Sequence, residues 1–142
     1  MTGANLPGVD VPYPAIRQRL AAIITNHTTL RASGARVVCS SDAGVGPNKP
    51  HDVLPYGVSM FLPRIGMSNA EALIATTAIA ADVCGIADIT GTLEPGKDAD
   101  ILVVAGNPLD DLAAVHQVVA VFARGSRVAE PARQRGLPEA TA

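Results

Sequence analysis

Few residues in this chain combine a reactive side chain with a position from which it could act. Asp42 follows the β-branched run Arg36-Val37-Val38-Cys39-Ser40 and opens a loop that also holds Gly44 and Gly46. A carboxylate just past the carboxyl end of a buried strand is where α/β folds set their reactive groups; there it can bind a divalent metal or take a proton from water. The same pattern also describes a loop aspartate that caps a turn, which is the commoner occurrence. His51 lies later in the same loop. It can reach over the same mouth as a substrate-binding group, or serve helix entry together with Asp52. His27 falls on the apolar stripe of a helix and reads as a helix-edge or core residue, while His116 reads as a solvated residue of a surface connection.

Other chemistries find no support. No two histidines stand at metal-ligand spacing, since HxH, HExxH and CxxC are all missing from the sequence. The Gly44–Lys49 stretch lacks the form of a phosphate loop, and Pro47 and Pro50 remove amide donors that a phosphate would need. There is no Gly-x-Ser-x-Gly elbow, and neither Cys39 nor Cys84 has a neighbouring base to activate it. Asp98 and Asp100 flank a turn and read as solvated turn residues.

The elements that must position Asp42 can be read from periodicity. Ile16, Leu20, Ile23, Ile24 and Leu30 recur at helical spacing behind Pro14, and Gly34 is placed to end that helix. Residues 36–40 then read as a buried strand, for which a parallel pairing is the natural guess. Residues 52–65 fit a helix that Pro63 should kink or end. Ser68-Asn69-Ala70-Glu71 has the form of a capping box opening a helix that Gly85 closes. Farther on, Gly91–Glu94 reads as a strand stub, Pro95-Gly96 as a type II turn, and Ile101–Val104 as a strand. Asn107-Pro108 reads as a turn, and Val118–Ala123 with Arg127–Val128 as a hairpin around Arg124-Gly125-Ser126. Residues 1–12 read as an irregular leader.

Composition sets the frame. With 142 residues, 48% of them hydrophobic and 17% charged, the chain has room for one compact domain and not for an intact (β/α)₈ barrel, which needs about 250. A formal charge of −2 argues against a nucleic-acid or anionic-membrane binder. No run of some 18 apolar residues suggests a membrane span. The start lacks the basic and apolar regions of a signal peptide, and the two cysteines read as buried thiols of a reduced cytoplasm.

Three segments taken in order, Val37–Gly44, the capped helix Ser68–Gly85, and Gly91-Thr92-Leu93-Glu94-Pro95-Gly96-Lys97-Asp98-Ala99-Asp100 running into Ile101–Val104, resemble the C-terminal portion of the metal-dependent amidohydrolase superfamily. Its imidazolonepropionase-like and Xaa-Pro dipeptidase-like members are the nearest in kind, and the resemblance spans residues 14–130. It implies an α/β fold: the C-terminal fragment of a (β/α)₈ barrel over residues 1–88, strands of a small β-sandwich over residues 89–130, and a flexible tail over residues 131–142. It further implies hydrolysis of C–N bonds in a small-molecule amide or dipeptide, with a divalent metal, Zn²⁺ above all, as cofactor. Val37–Ser40 would be the eighth barrel strand and Asp42 the aspartate that binds metal and serves as base.

The family's paired histidines of the first strand, its bridging lysine or acid and its two later histidines have no counterpart in this sequence. His27, on a helix, does not match the sixth-strand ligand, and Pro63 interrupts a helix that the family leaves intact. One carboxylate falls short of the three protein ligands of a catalytic zinc site. The expectation is a truncated amidohydrolase segment that is inactive and holds metal poorly on its own. The alternative is a non-catalytic interaction or structural module, self-associating or pairing with a chain that supplies the missing barrel strands, because lone strands and open helix faces need cover.

Overall fold

The computed structural model describes residues 14–44 and 51–128. The leader over residues 1–12, the Gly46–Pro50 part of the loop and the tail from Pro131 lie outside the described residues.

The first helix, α1, runs from Pro14 to Ala32. Gly34, at φ 90°, ends it in the left-handed conformation that a residue without Cβ adopts at little cost. The Gly34 N–H donates to the Arg31 carbonyl and the Ala35 N–H to that of Leu30, so the last turn closes on itself as a Schellman motif. Beyond it the expected strand over residues 36–40 is not formed. These residues take no regular secondary structure, and among the described residues their backbone is anchored by a hydrogen bond from Cys39 N–H to the Ala75 carbonyl at 3.2 Å. A β-branched run becomes a strand only beside another strand, and among the described residues none lies next to it.

The helix expected over residues 52–65 breaks into three turns of different pitch. A single α-turn, α2 (Leu54–Tyr56), widens into a π-turn (Gly57–Phe61) and then tightens into a 3₁₀ turn (Leu62–Ile65). Pro63 offers no N–H to the carbonyl one turn back, so an α-ladder cannot run through it. A side chain at Gly57 would put its Cβ 3.0 Å from Cys39 Sγ, so glycine lets the π-turn lie this close to the 35–42 segment without moving the Cys39 side chain.

The capping box is formed as the spacing predicts. Ser68 Oγ accepts from Glu71 N–H, and Glu71 Oε2 accepts from Ser68 N–H at 2.8 Å. The Ser68 backbone and hydroxyl donors, followed by Arg31 at 2.6 Å, hold the Glu71 carboxyl down at about 2. The helix it opens is not continuous. α3 (Asn69–Thr76) stops at Thr77, with φ −122° and ψ −89°, and α4 (Ala78–Val83) starts again before Gly85, at φ 70°. Both threonine hydroxyls turn back, Thr76 and Thr77 each donating to the Leu73 carbonyl at 2.9 and 2.8 Å. Such side-chain bonds compete with the helical ladder.

The rest is a small antiparallel sheet in the order β1 (Ile101–Val104), β2 (Val118–Ala123), β3 (Ser126–Arg127). The expected parallel pairing is therefore absent among the described residues, and the strand stub at Gly91–Glu94 is irregular. The Pro95-Gly96 turn is present, closed by Lys97 N–H to the Glu94 carbonyl with Gly96 at φ 93°. The register shifts between Val103 and Val104, where Val119 of β2 is the extra residue of a bulge. The hairpin turn has both central residues, Arg124 (φ 49°) and Gly125 (φ 78°), in the left-handed region, as a type I′ turn requires. Asp100 is exposed, as expected of a solvated turn residue, and it also pins this turn: its Oδ1 accepts from Arg124 N–H and its Oδ2 from Thr90 Oγ1. Those donors, Arg124 N–H first, push its carboxyl below the usual range.

The core lies where the parts meet. Val58, Leu62 and Ile65 of the irregular turns pack with Ala72 and Ala75 of α3 and with Leu112 and Val115 of a 3₁₀ turn (Leu112–His116). Gly91, at φ 96°, closes against α4, where a methyl would sit 2.5 Å from Ala81 Cβ and 3.2 Å from the Thr77 carbonyl oxygen. Gly91→Ala should therefore cost about 2–4 kcal/mol, combining left-handed strain with a clash against packed backbone. Gly96→Ala, which meets nothing within 4 Å, should cost about 1–2 kcal/mol from strain alone. Urea midpoints of the two variants check this, and equal losses would refute the close approach.

Candidate functional site

Asp42 stands at the end of the 35–42 segment, exposed, with a left-handed backbone at φ 46°. Aspartate tolerates that region better than most residues. A turn anchored by Ser41, whose Oγ accepts from Ala43 N–H at 3.3 Å, carries the chain on to Gly44 at φ 86°. His51 is exposed and lays its ring against Gly44, with Cε1 3.3 Å and Nε2 3.7 Å from where a Cβ would be. The structure thus brings His51 to the backbone two residues beyond Asp42.

The other histidines fall elsewhere. His27 is half-buried on α1, where its Nδ1 bonds the Ile23 carbonyl at 2.7 Å and its ring meets Phe61 edge-on at 5.5 Å. His116 corrects its sequence reading. Rather than being solvated, it is half-buried at the end of the 112–116 turn, with Nε2 2.9 Å from Ser59 Oγ and its ring 4.8 Å from that of Tyr56. Burial pushes its imidazole below the ordinary value. Asp111, whose side chain caps that turn, and the one-turn spacing of Leu112 and Val115 were the available signals. The cysteines are both free thiols. Cys39 is half-buried, which raises its thiol, whereas Cys84 is exposed at the end of α4, against the expectation that both are buried.

Among the described residues no three of His, Cys, Asp or Glu come together as a metal-binding group. Asp42 is thus one carboxylate where a catalytic zinc site takes three protein ligands, and these residues alone do not fit the metal. Nor is any helix of the described residues long and apolar enough to cross a membrane.

The sequence profile of the Amidohydrolase family matches residues 3–128. The chain belongs to this family. Among curated amidohydrolase relatives, the imidazolonepropionase of Thermoplasma volcanium is 31% identical over 105 residues, which are 72% of this chain and 26% of that protein. The imidazolonepropionase of Geobacillus kaustophilus is 38% identical over 71 residues, 50% of this chain and 16% of that one. Among solved structures, a prolidase-type protein from Bifidobacterium longum superposes with a TM-score of 0.75 at 31% identity, over 84% of this chain and 30% of its own. A Xaa-Pro dipeptidase with methionine bound in its active site gives 0.68 at 26% identity, over the same shares. The chain spans about a quarter or less of the curated relatives and under a third of these solved chains.

The fit of His51 to Gly44 is testable in this amidohydrolase segment. Gly44→Ala should cost about 1–2 kcal/mol for its left-handed backbone. Its methyl should also displace the His51 ring, so that the His51 Hε1 proton resonance moves while those of His27 and His116 stay in place. An unmoved His51 signal in the folded variant would show that the ring does not rest on Gly44.

Proposed function

We propose that this chain is the C-terminal segment of a hydrolase of C–N bonds in small amides or dipeptides, in which Asp42 is the residue that touches the reaction. Residues 1–88 belong on this reading to the barrel part and residues 89–130 to the small β-sandwich, and the two thiols suit a reduced cytoplasm. The observation that carries it is the placement of Asp42, left-handed and exposed at the end of the 35–42 segment, with His51 returning to Gly44 beside it. From there Asp42 can take the proton of an attacking water, and His51 can meet the substrate over the same mouth. Relatives that are an imidazolonepropionase and a Xaa-Pro dipeptidase support cyclic amides and Xaa-Pro dipeptides as the substrate class.

Family members use a divalent metal, yet the described residues do not gather a metal site, so no step of this chemistry is assigned to metal held by them. The isolated chain is accordingly expected to bind Zn²⁺ weakly in calorimetric titration and to leave Xaa-Pro dipeptides uncleaved. Stoichiometric sub-micromolar zinc binding that Asp42→Ala abolishes would overturn the incomplete site and establish Asp42 as a ligand in this chain.

A second reading rests on the 35–42 segment itself. Its Val37–Ser40 run lies beside no strand among the described residues, Cys39 N–H donates to the Ala75 carbonyl of α3, and Val38 is exposed. A strand-like run with no strand beside it among the described residues suits pairing with strands from another chain or a second copy of this one. Size exclusion with light scattering should then show a mass above one chain, or binding of a hydrophobic dye. A dye-silent monomer would refute the pairing.

A further inference from the structure

We propose that Ser59, His116 and Tyr56 form an acid-sensitive joint that docks the β-stranded part of the chain onto the helical part. The proposal is independent of the role given to Asp42. It starts from proton counting at one hydroxyl. Ser59 Oγ donates to the Pro55 carbonyl at 2.9 Å, which commits its single proton. The 2.9 Å contact to His116 is then made by Nε2–H donating to Oγ. The relay His116 to Ser59 to Pro55 thus selects the neutral tautomer with its lone pair on Nδ1, and Nδ1 has no hydrogen-bond partner among the described residues. Tyr56 packs edge-on against the ring at 4.8 Å and 61°.

The place of this relay gives it leverage. Ser59 sits in the π-turn beside buried Val58, and His116 follows buried Val115, so the bond spans the seam of the core between the irregular turns and the β-stranded part. A second tie across the seam, Asn69 Nδ2 to the Leu109 carbonyl at 2.9 Å, is neutral and does not titrate. In acid the added proton must go to Nδ1 and leave a cation in a half-buried place.

Among the described residues, little nearby would compensate it. The π-turn and β1 carry no titratable side chain, and α2 contributes only Tyr56. The 62–65 turn carries Arg64, of like charge, and α3 carries Glu71, already held by Ser68 and Arg31. On the side of His116 itself, Asp111 caps the turn through Ala113 N–H and Asp110 accepts from Asn107.

The sign follows. Burial lowers the imidazole of docked His116 relative to the undocked chain. The joint therefore holds in full above the ordinary imidazole value near 6.5. It weakens as the pH falls through that value, until docked His116 is itself protonated.

Hydrogen exchange on the full chain, corrected for intrinsic rates, reads this directly. Between about pH 7.5 and about pH 5.5, protection of amides 112–123 should fall roughly threefold or more, with α1 changing less. His116→Gln keeps a neutral donor for Ser59 and should flatten that dependence. Should this variant not fold, an NMR titration of the unaltered chain decides: the His116 ring should titrate below the ordinary imidazole range, with protection already falling above its midpoint. Protection that does not change with pH, an undiminished fall in folded His116→Gln, or a His116 ring titrating at or above the ordinary value would each overturn the joint.

Discussion

Thr77 cannot continue the helix that Ser68 begins, and much of the architecture depends on that interruption. In an unbroken helix the Ala75 carbonyl would be taken by the N–H of residue 79, one turn on. With the backbone of Thr77 at φ −122° and ψ −89°, that carbonyl is left to accept from Cys39 instead, at 3.2 Å. Through this bond the 35–42 segment, and Asp42 at its end, is tied to the core. The same interruption sets α4 where Gly91 can close against Ala81 and the Thr77 carbonyl. A side-chain effect of two adjacent threonines, each bonding back to Leu73, is thereby coupled both to the candidate site and to the entry into the β-stranded part.

Around that anchor the packing is economical. Leu62 and Ile65 are the largest fully buried side chains, and alanines supply the facing surface of α3. Small residues let the irregular 57–65 turns approach α3 closely, and Gly57 does the same toward Cys39. Two ion pairs reinforce the tie between the first helix region and the capped one, Arg31 with Glu71 and Arg36 with Asp82, both 2.6 Å and both exposed. Exposed pairs contribute little each, so they orient the segment more than they stabilise it.

What could be read from the sequence was what a few neighbouring residues decide among themselves. The Ser68–Glu71 box, the Gly34 and Gly85 stops, the Pro95-Gly96 turn and the Arg124-Gly125 hairpin are each settled within one turn of chain, and each is where the spacing puts it. Val37–Ser40 has the composition of a buried strand but no adjacent strand among the described residues. Composition speaks to what a segment buries, whereas pairing depends on a neighbouring strand that local sequence does not specify. His116 reads as solvated in the sequence for a related reason. Its partners Tyr56 and Ser59 lie some sixty residues earlier, in an α-turn and the π-turn that follows it, so no local spacing announces the contact. At the site, Asp42 and His51 were legible as candidates, whereas the rest of His51 against Gly44 required the fold of the loop.

Asp42 and Arg124 are the two described non-glycine residues with positive φ, and the comparison sharpens what is particular about Asp42. At Arg124 the conformation is imposed by the strands: a two-residue hairpin loop needs it, and Asp100 and the Ala99 carbonyl hold the turn by accepting from Arg124 and Gly125 N–H. Asp42 lies in no hairpin and borders no described strand. Its conformation instead sets the direction in which the chain leaves the anchored 35–42 segment, through the Ser41 turn and on to Gly44, where His51 comes to rest. Backbone strain of this kind persists only where surrounding structure overdetermines it, and it concentrates at sites that bind or react. The left-handed backbone of Asp42 therefore belongs to the path by which the anchored segment reaches Gly44, the residue on which the His51 ring rests.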